Sequence, residues 1–267
     1  MKTAGTSNDQ APPEGRITLH DHGHILLIQI DRERKRNSFT PTMLGQLADA
    51  YTIYEASPDY RCAVLHSAGD HFCSGLDLAG VELDAQLFPD GLIDPVGLHP
   101  PLRRKPMIAA VQGVCFTLGI ELMLATDIVV AAESTRFSQL EVKRGTIAFC
   151  GATLRMPERA GWGNAMRYLL TGDEFDAKEA LRLGFVQDIT ADGNQLQRAL
   201  ELAERVAHQA PLAVTAMRQS AQTAVIHGVD ACVRELPSLL SRLTDSEDFK
   251  EGVRSFVEHR KGQFVGR

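Results

Sequence analysis

Four short runs of apolar and branched residues, Ile25–Ile30, Cys62–His66, Met107–Val111 and Ile128–Ala132, are separated by segments with helix signals. Each run is too short for a helix and has the composition of a buried strand. After the first run, Thr40-Pro41 supplies an N-cap with proline at the first helical position, and Met43, Leu44, Leu47 and Tyr51 follow. A further helix opens near Leu118. Strands that alternate with helices are joined by right-handed crossovers, which lay the strands down in parallel. The alternation therefore predicts an α/β fold around a largely parallel sheet.

Past about residue 150 the pattern changes. Asp176-Ala177-Lys178-Glu179 has the form of a capping box in front of Ala180, Leu181 and Leu183. Val186 is assigned to a short strand, and residues 194–209, 212–227, 229–243 and 246–260 read as helices. The expected organisation is a disordered tail over 1–14, a β/α core over 15–190 and a helical region over 191–267. Within the core, residues 79–105 are rich in Pro, Gly and Asp and read as an irregular excursion.

Lysine and arginine number 28 against 34 acidic residues, a formal charge of 28 − 34 = −6, so no global basic field draws nucleic acid. Two local basic runs, Arg32–Arg36 and Arg103–Lys105, read as solvated loop charge, with contact to a phosphate-bearing ligand as the other reading. The five cysteines, Cys62, Cys73, Cys115, Cys150 and Cys232, include no Cys-x-x-Cys pair and read as reduced thiols of a cytoplasmic protein. No apolar run approaches the roughly 18 residues of a membrane span, and the N-terminus carries no basic-then-apolar signal. No His, Asp or Glu set has metal-ligand spacing, so no metal is expected.

Three segments carry chemistry: His71–Leu78, Gly113–Leu122 and Phe137–Glu141. The first two are built to bring backbone amides close to a ligand. The last two each end near a glutamate, Glu121 and Glu141. Glu121 sits within Leu118-Gly119-Ile120-Glu121-Leu122-Met123-Leu124, and a carboxylate amid such residues needs a reason. The combination suggests N–H groups that hold a developing oxyanion and two carboxyl groups that move protons. The plainer readings are surface or ion-paired glutamates, an ordinary turn at Gly75, cysteines that fill the core, and a His71 that bonds its own loop.

In their order and spacing these segments resemble the crotonase superfamily of enoyl-CoA hydratases and isomerases, from about Ile17 to Phe264. Phe72-Cys73-Ser74-Gly75-Leu76-Asp77-Leu78 resembles the family's Phe-x-x-Gly-x-Asp-Leu loop. Gly113 to Asp127 resembles its Gly-x-x-x-Gly-Gly-x-x-Glu-Leu…Asp helix entry. Arg144-Gly145-Thr146 and Leu170-Thr171-Gly172-Asp173 fit as well. The resemblance implies a spiral of β-β-α units and C-terminal helices that mediate trimers, often paired into hexamers. It implies a coenzyme A thioester as substrate and no separate cofactor.

By the same resemblance, the Leu76 and Leu118 N–H groups form the oxyanion hole, within a loop that includes Cys73, Gly75 and Asp77. Glu121 orients and deprotonates a water, and Glu141 exchanges a proton with the α-carbon. Arg36-Asn37-Ser38 match a loop whose backbone reads the adenine. Phe256 and His259 fall on a helix that reaches a neighbouring subunit's CoA, where relatives often have Lys at the His259 position. Leu118 stands where Gly is usual and should narrow the acyl pocket. Phe149 also replaces a Gly, and its ring either shapes that pocket or crowds out the water. The implied activity is reversible hydration of a 2-enoyl-CoA to a 3-hydroxyacyl-CoA. Enoyl-CoA isomerisation and acyl-CoA hydrolysis are alternatives, and a catalytically silent CoA-binding scaffold is an alternative of another class.

Overall fold

The computed structural model describes residues 13–80 and 87–267. The expected tail lies outside the described residues except for Pro13 and Glu14, and both are tied down. The Pro13 carbonyl accepts from Arg32 Nε at 3.0 Å, and the Glu14 carbonyl from Thr40 Oγ1 at 2.8 Å.

Strands β1 (Arg16–His22) and β2 (Ile25–Asp31) form an antiparallel hairpin. Helix α1 (Pro41–Ala56) follows, its Thr40 cap accepting from the Met43 N–H as the Thr-Pro signal predicts. Then come β3 (Cys62–Ser67), the excursion, and β4 (Met107–Val111). β4 turns through Gly113 into β5 (Val114–Phe116) and α2 (Leu118–Ala125). The next unit repeats this pattern with β6 (Ile128–Ala132), β7 (Arg136–Ser138) and a 3-10 turn (Glu141–Arg144) before α3 (Ala152–Ala160). After α4 (Trp162–Thr171) come β8 (Phe175–Asp176), α5 (Ala177–Arg182) and β9 (Asp188–Thr190). Helices α6 (Gln195–Ala207), α7 (Pro211–His227), α8 (Val229–Thr244) and α9 (Glu247–Val257) complete the chain.

The strands make two sheets. One has the order β1-β2-β3-β4-β6-β9 and is parallel from β2 onward; the other has the order β5-β7-β8. A long strand, a short strand in the second sheet and a helix make one β-β-α unit of the spiral. An isolated parallel bridge between Cys73 and Cys115 lays the loop after β3 against β5. One face of the large sheet packs on α1 and α2 through Leu26, Ile28, Leu65, Met43, Tyr51, Leu122 and Met123. The other face, with Val64, Ile108, Ala110 and Val130, meets α6 at Ala199, Ala203 and Ala207. Alanine at four-residue spacing lets that helix lie close to the sheet.

Some expectations need correction. Val186 is not in a strand. It is buried in the turn that ends α5, where its N–H donates to the Ala180 carbonyl, and β9 begins at Asp188. Half of the capping box forms: Asp176 accepts from the Glu179 N–H, while the Glu179 carboxylate binds Tyr168 and Arg182. Two members of the basic runs are not solvated. Arg32 and Arg103 are buried, because each has carboxylate and carbonyl partners that offset its desolvation. Arg103 Nη1 meets Asp127 Oδ2 at 2.8 Å, and Arg218 of α7 meets Asp127 Oδ1 at 2.8 Å. That triad fastens the helical region to the core. Among the described residues, no helix is long and apolar enough to cross a membrane.

Candidate active site

Two backbone turns meet, one in the loop after β3 and one between β5 and α2. In the loop after β3, the Phe39 N–H donates to the Gly75 carbonyl at 2.8 Å and the Asp77 N–H to the Phe39 carbonyl at 2.9 Å. A parallel bridge of this kind uses the residues on either side of Leu76 and turns the Leu76 N–H away from Phe39. In the second turn, Leu118 opens α2, so its N–H is one of the unpaired donors of a helix start. No hydrogen bond among the described residues engages either N–H. The two turns touch. Phe116 N–H donates to the Cys73 carbonyl at 2.9 Å, and a Cβ on Gly75 would stand 2.0 Å from Thr117 Oγ1. With φ of 106° as well, only glycine fits at 75.

Glu121 occupies the first turn of α2 and is only 2% exposed. Its Oε1 accepts from the Cys150 N–H at 2.8 Å and the Ala152 N–H at 3.1 Å. These amides flank Gly151, the N-cap of α3, so the carboxylate sits on a helix N-terminus. Burial raises the pKa of Glu121 above the ordinary glutamate range, against the pull of the two N–H donors and the Arg155 charge.

Glu141 begins the 3-10 turn after β7, and its Oε2 is buried with no hydrogen-bond partner among the described residues. Burial pushes its pKa up to about 7. Its own backbone N–H opposes the rise, and the Glu121 charge adds to it. Two interacting carboxyl groups thus differ in support: one is cradled by donors from α3, the other has only its own backbone N–H among the described residues and titrates near neutrality. Such a split separates a base from an acid.

The other expected site residues fall into three groups. Cys73 does not line the site: it is wholly buried, its thiol accepts from the Gly75 N–H at 3.3 Å, and burial pushes its pKa up to about 12. Asp77 stands at the loop's end in an ion pair with Arg32, and Ser38 Oγ accepts from the same guanidinium. The Asn37 side chain is fully used inside the protein, accepting from the Arg32 N–H and donating to the Ala68 and His71 carbonyls. Arg36 is exposed, and the Ser74 N–H bonds its carbonyl. Phe149 is half-buried and packs against the main core. Phe256 is 80% exposed, lines a groove of about 540 Å³ among α7, α8 and α9, and has no bond to the glutamates. His259 is exposed just beyond α9. His71 Nδ1 accepts from the Val114 N–H, a bond within the loop region.

Sequence reasoning missed two residues here. Arg155 of α3 lies against Gly151, where a Cβ would meet its Nη1 at 2.0 Å, and its Nη2 donates to the Val96 carbonyl at 2.6 Å. That contact depends on the fold of the excursion, which no local pattern encodes. Thr117 has φ of 47° and ψ of −115°, a glycine-type conformation that costs a β-branched residue about 1–3 kcal/mol. The signal available was its place where the related motif has Gly.

A family model described as enoyl-CoA hydratase/isomerase matches residues 20–267. An enoyl-CoA hydratase of Mycobacterium tuberculosis is 32% identical over 251 residues, covering 92% of this chain and 94% of that one. An (E)-benzylidenesuccinyl-CoA hydratase of Thauera aromatica is 32% identical over 94% of this chain and 99% of its own. Among solved structures, a probable enoyl-CoA hydratase/isomerase from Mycobacterium abscessus superposes with a TM-score of 0.91 at 45% identity, covering 94% of this chain and 98% of that one.

Proposed function

The chain belongs to the enoyl-CoA hydratase/isomerase family, and from that premise we propose that it is an enzyme that hydrates a 2-enoyl-CoA thioester reversibly to the 3-hydroxyacyl-CoA. The observation that carries this reading is the pair of interacting glutamates held in unlike environments, Glu121 on the Cys150 and Ala152 amides and near the Arg155 charge, and Glu141, among the described residues, on its own backbone alone. Hydration needs a water deprotonated as it attacks Cβ and a proton delivered to Cα. Glu121 is assigned the first task and Glu141 the second. The negative charge that builds on the thioester oxygen falls to the Leu76 and Leu118 N–H groups, of which one such donor is worth roughly 3–4 kcal/mol in acyl-transfer sites. Coenzyme A is carried by the substrate, with Arg36, Asn37 and Ser38 assigned to its adenine end. The reading requires no further cofactor and no nucleic-acid or membrane partner, and the five free thiols suit a cytoplasmic setting.

The test is a panel of enoyl-CoA thioesters of varied length and branching, with loss of the conjugated absorbance as the signal. Double-bond migration without water addition would assign the chain to the isomerases. Release of free CoA alone would make it a hydrolase. Tight binding with no turnover would leave a scaffold.

The two acidities set a pH profile. Glu121 must be ionised to act as base, and its raised pKa places the acid limb of kcat/KM above the ordinary glutamate range. Glu141 must be protonated to donate, so hydration falls as pH rises through about 7. Dehydration uses the mirror state, Glu141 ionised and Glu121 protonated, which carries the same single proton on the pair, so kcat/KM in that direction falls over the same interval. The limbs belong to the coupled pair rather than to single residues. A flat hydration rate from pH 6 to 9 would remove Glu141 as the donor.

We also assign the helical region to a homotrimer or a dimer of trimers. Leu196, Leu200, Leu202 and Val206 pack on the chain's own second core, but Leu236, Leu240, Val253 and Phe256 remain exposed around the α7–α9 groove. Closed symmetry would cover these patches on every copy, with Phe256 and His259 then offered to a neighbour's CoA. Light scattering is expected to give a mass three or six times that of the chain. A stable monomer at micromolar concentration would contradict the assignment.

A further inference from the structure

We propose that the Thr117 hydroxyl is a third hydrogen-bond donor to the thioester oxygen, set between the Leu76 and Leu118 amides; this rests on the reading of those amides as an oxyanion site. Its place in the chain is the first ground. Thr117 immediately precedes Leu118, and its Oγ1 lies 2.0 Å from the place a Cβ on Gly75 would take, one residue from Leu76. The hydroxyl therefore lies at the seam of the two turns.

The second ground is that everything else on Thr117 is occupied. Its N–H donates to the Ser138 carbonyl at 3.0 Å, and its own carbonyl accepts from Ile120 and Glu121. These bonds hold the backbone at φ of 47°, where glycine would sit without strain. The side chain does not cap α2, and its hydroxyl makes no hydrogen bond among the described residues. A threonine kept in a glycine conformation, with its hydroxyl and the neighbouring Leu76 and Leu118 amides all unengaged among the described residues, is suited to donate to an oxygen bound between those amides. The hydroxyl keeps its proton throughout. It stabilises charge as charge grows on the thioester oxygen, so its effect belongs to the transition state.

The test compares Thr117→Val with Thr117→Ser on two readouts: kcat/KM for hydration, and the red shift of a bound 4-dimethylaminocinnamoyl-CoA, whose band moves as its carbonyl is polarised. Valine keeps the branched shape and removes only the hydroxyl. Thr117→Val is expected to lose roughly 10- to 100-fold in kcat/KM, somewhat less than removal of a main oxyanion donor, and part of the red shift. Thr117→Ser should keep most of both. Wild-type rate and red shift in Thr117→Val would overturn the proposal and leave Thr117 as filler against Gly75. Should Thr117→Val fold poorly, Thr117→Ser against Thr117→Ala makes the same comparison, and equal red shifts in those two would overturn it. The red shift decides the matter even if the wild type hydrates nothing, so failure of the hydratase reading is seen separately. A wild type that leaves the probe's band unmoved overturns both.

Discussion

Glu121→Gln and Glu141→Gln are each expected to cut hydration by roughly 10²- to 10⁴-fold, the range for a positioned general acid or base. Glutamine keeps the volume of the side chain, and its carbonyl oxygen can still accept from the Cys150 and Ala152 N–H groups that hold Glu121. Neither change disturbs the Leu76 and Leu118 amides, so a CoA thioester should still bind. The loss should therefore fall on kcat, with calorimetry of a substrate analogue showing affinity close to wild type. The mutants also probe the coupling. Burial is the main reason that Glu141 titrates near 7, but the Glu121 charge adds to it. In Glu121→Gln the residual activity should lose its alkaline limb at a lower pH than in the wild type. Near-wild-type turnover in either mutant would take that glutamate out of the mechanism.

Asp127→Ala is expected to cost about 3–5 kcal/mol of stability, the penalty of leaving a buried charge without its partner. Arg103 has only 5% of its side chain exposed and keeps just the Lys105 and Ala125 carbonyls once Asp127 is gone. Arg218 Nε and the Met107 N–H lose that acceptor in the same step, while Arg218 Nη1 keeps the Arg103 carbonyl and Gln222. For a chain of this size the melting temperature should fall by roughly 6–20 °C. Partial burial pushes the Asp127 carboxyl up, though 30% of its side chain is exposed, and Arg103 and Arg218 outweigh it and hold its pKa below the usual range. A depressed carboxylate contributes stability that is present above its unfolded pKa of about 3.9 and lost as pH falls through the folded value. The gap between wild type and mutant should be full at pH 7 and shrink below pH 4. A melting difference under 2 °C at pH 7 would show that the triad does not fasten the helical region to the core.

The strands that were plain in the sequence, such as Met107–Val111, are buried on both faces and read as continuous apolar runs. β1 was not plain. It is an edge strand with His20, Asp21 and His22 exposed, and half of its signal is spent on solvent. β5, β7 and β8 have two or three residues each, too few for any period to show. In the site, Glu121 stood out because its neighbours are apolar. Its partners did not, since the amides of Cys150 and Ala152 carry no side-chain signature. Arg103 shows the reverse case: a basic run reads as solvated because its carboxylate partner lies 24 positions away.

The anchoring of Glu121 bears on the order in which the protein can assemble. Its two partners come 29 and 31 residues later in the chain, across β6 and β7. A nascent polypeptide that has made α2 but not α3 holds an acidic group in an apolar helix with nothing to receive it. The neutral acid is the tolerable form in that interval, because an uncompensated charge resists burial far more than a protonated carboxyl does. Docking of α3 supplies the amides that make ionisation affordable. Competence to remove a proton therefore arrives with the docking of α3 and not with α2 itself, although the residue that does the work is already in place on α2.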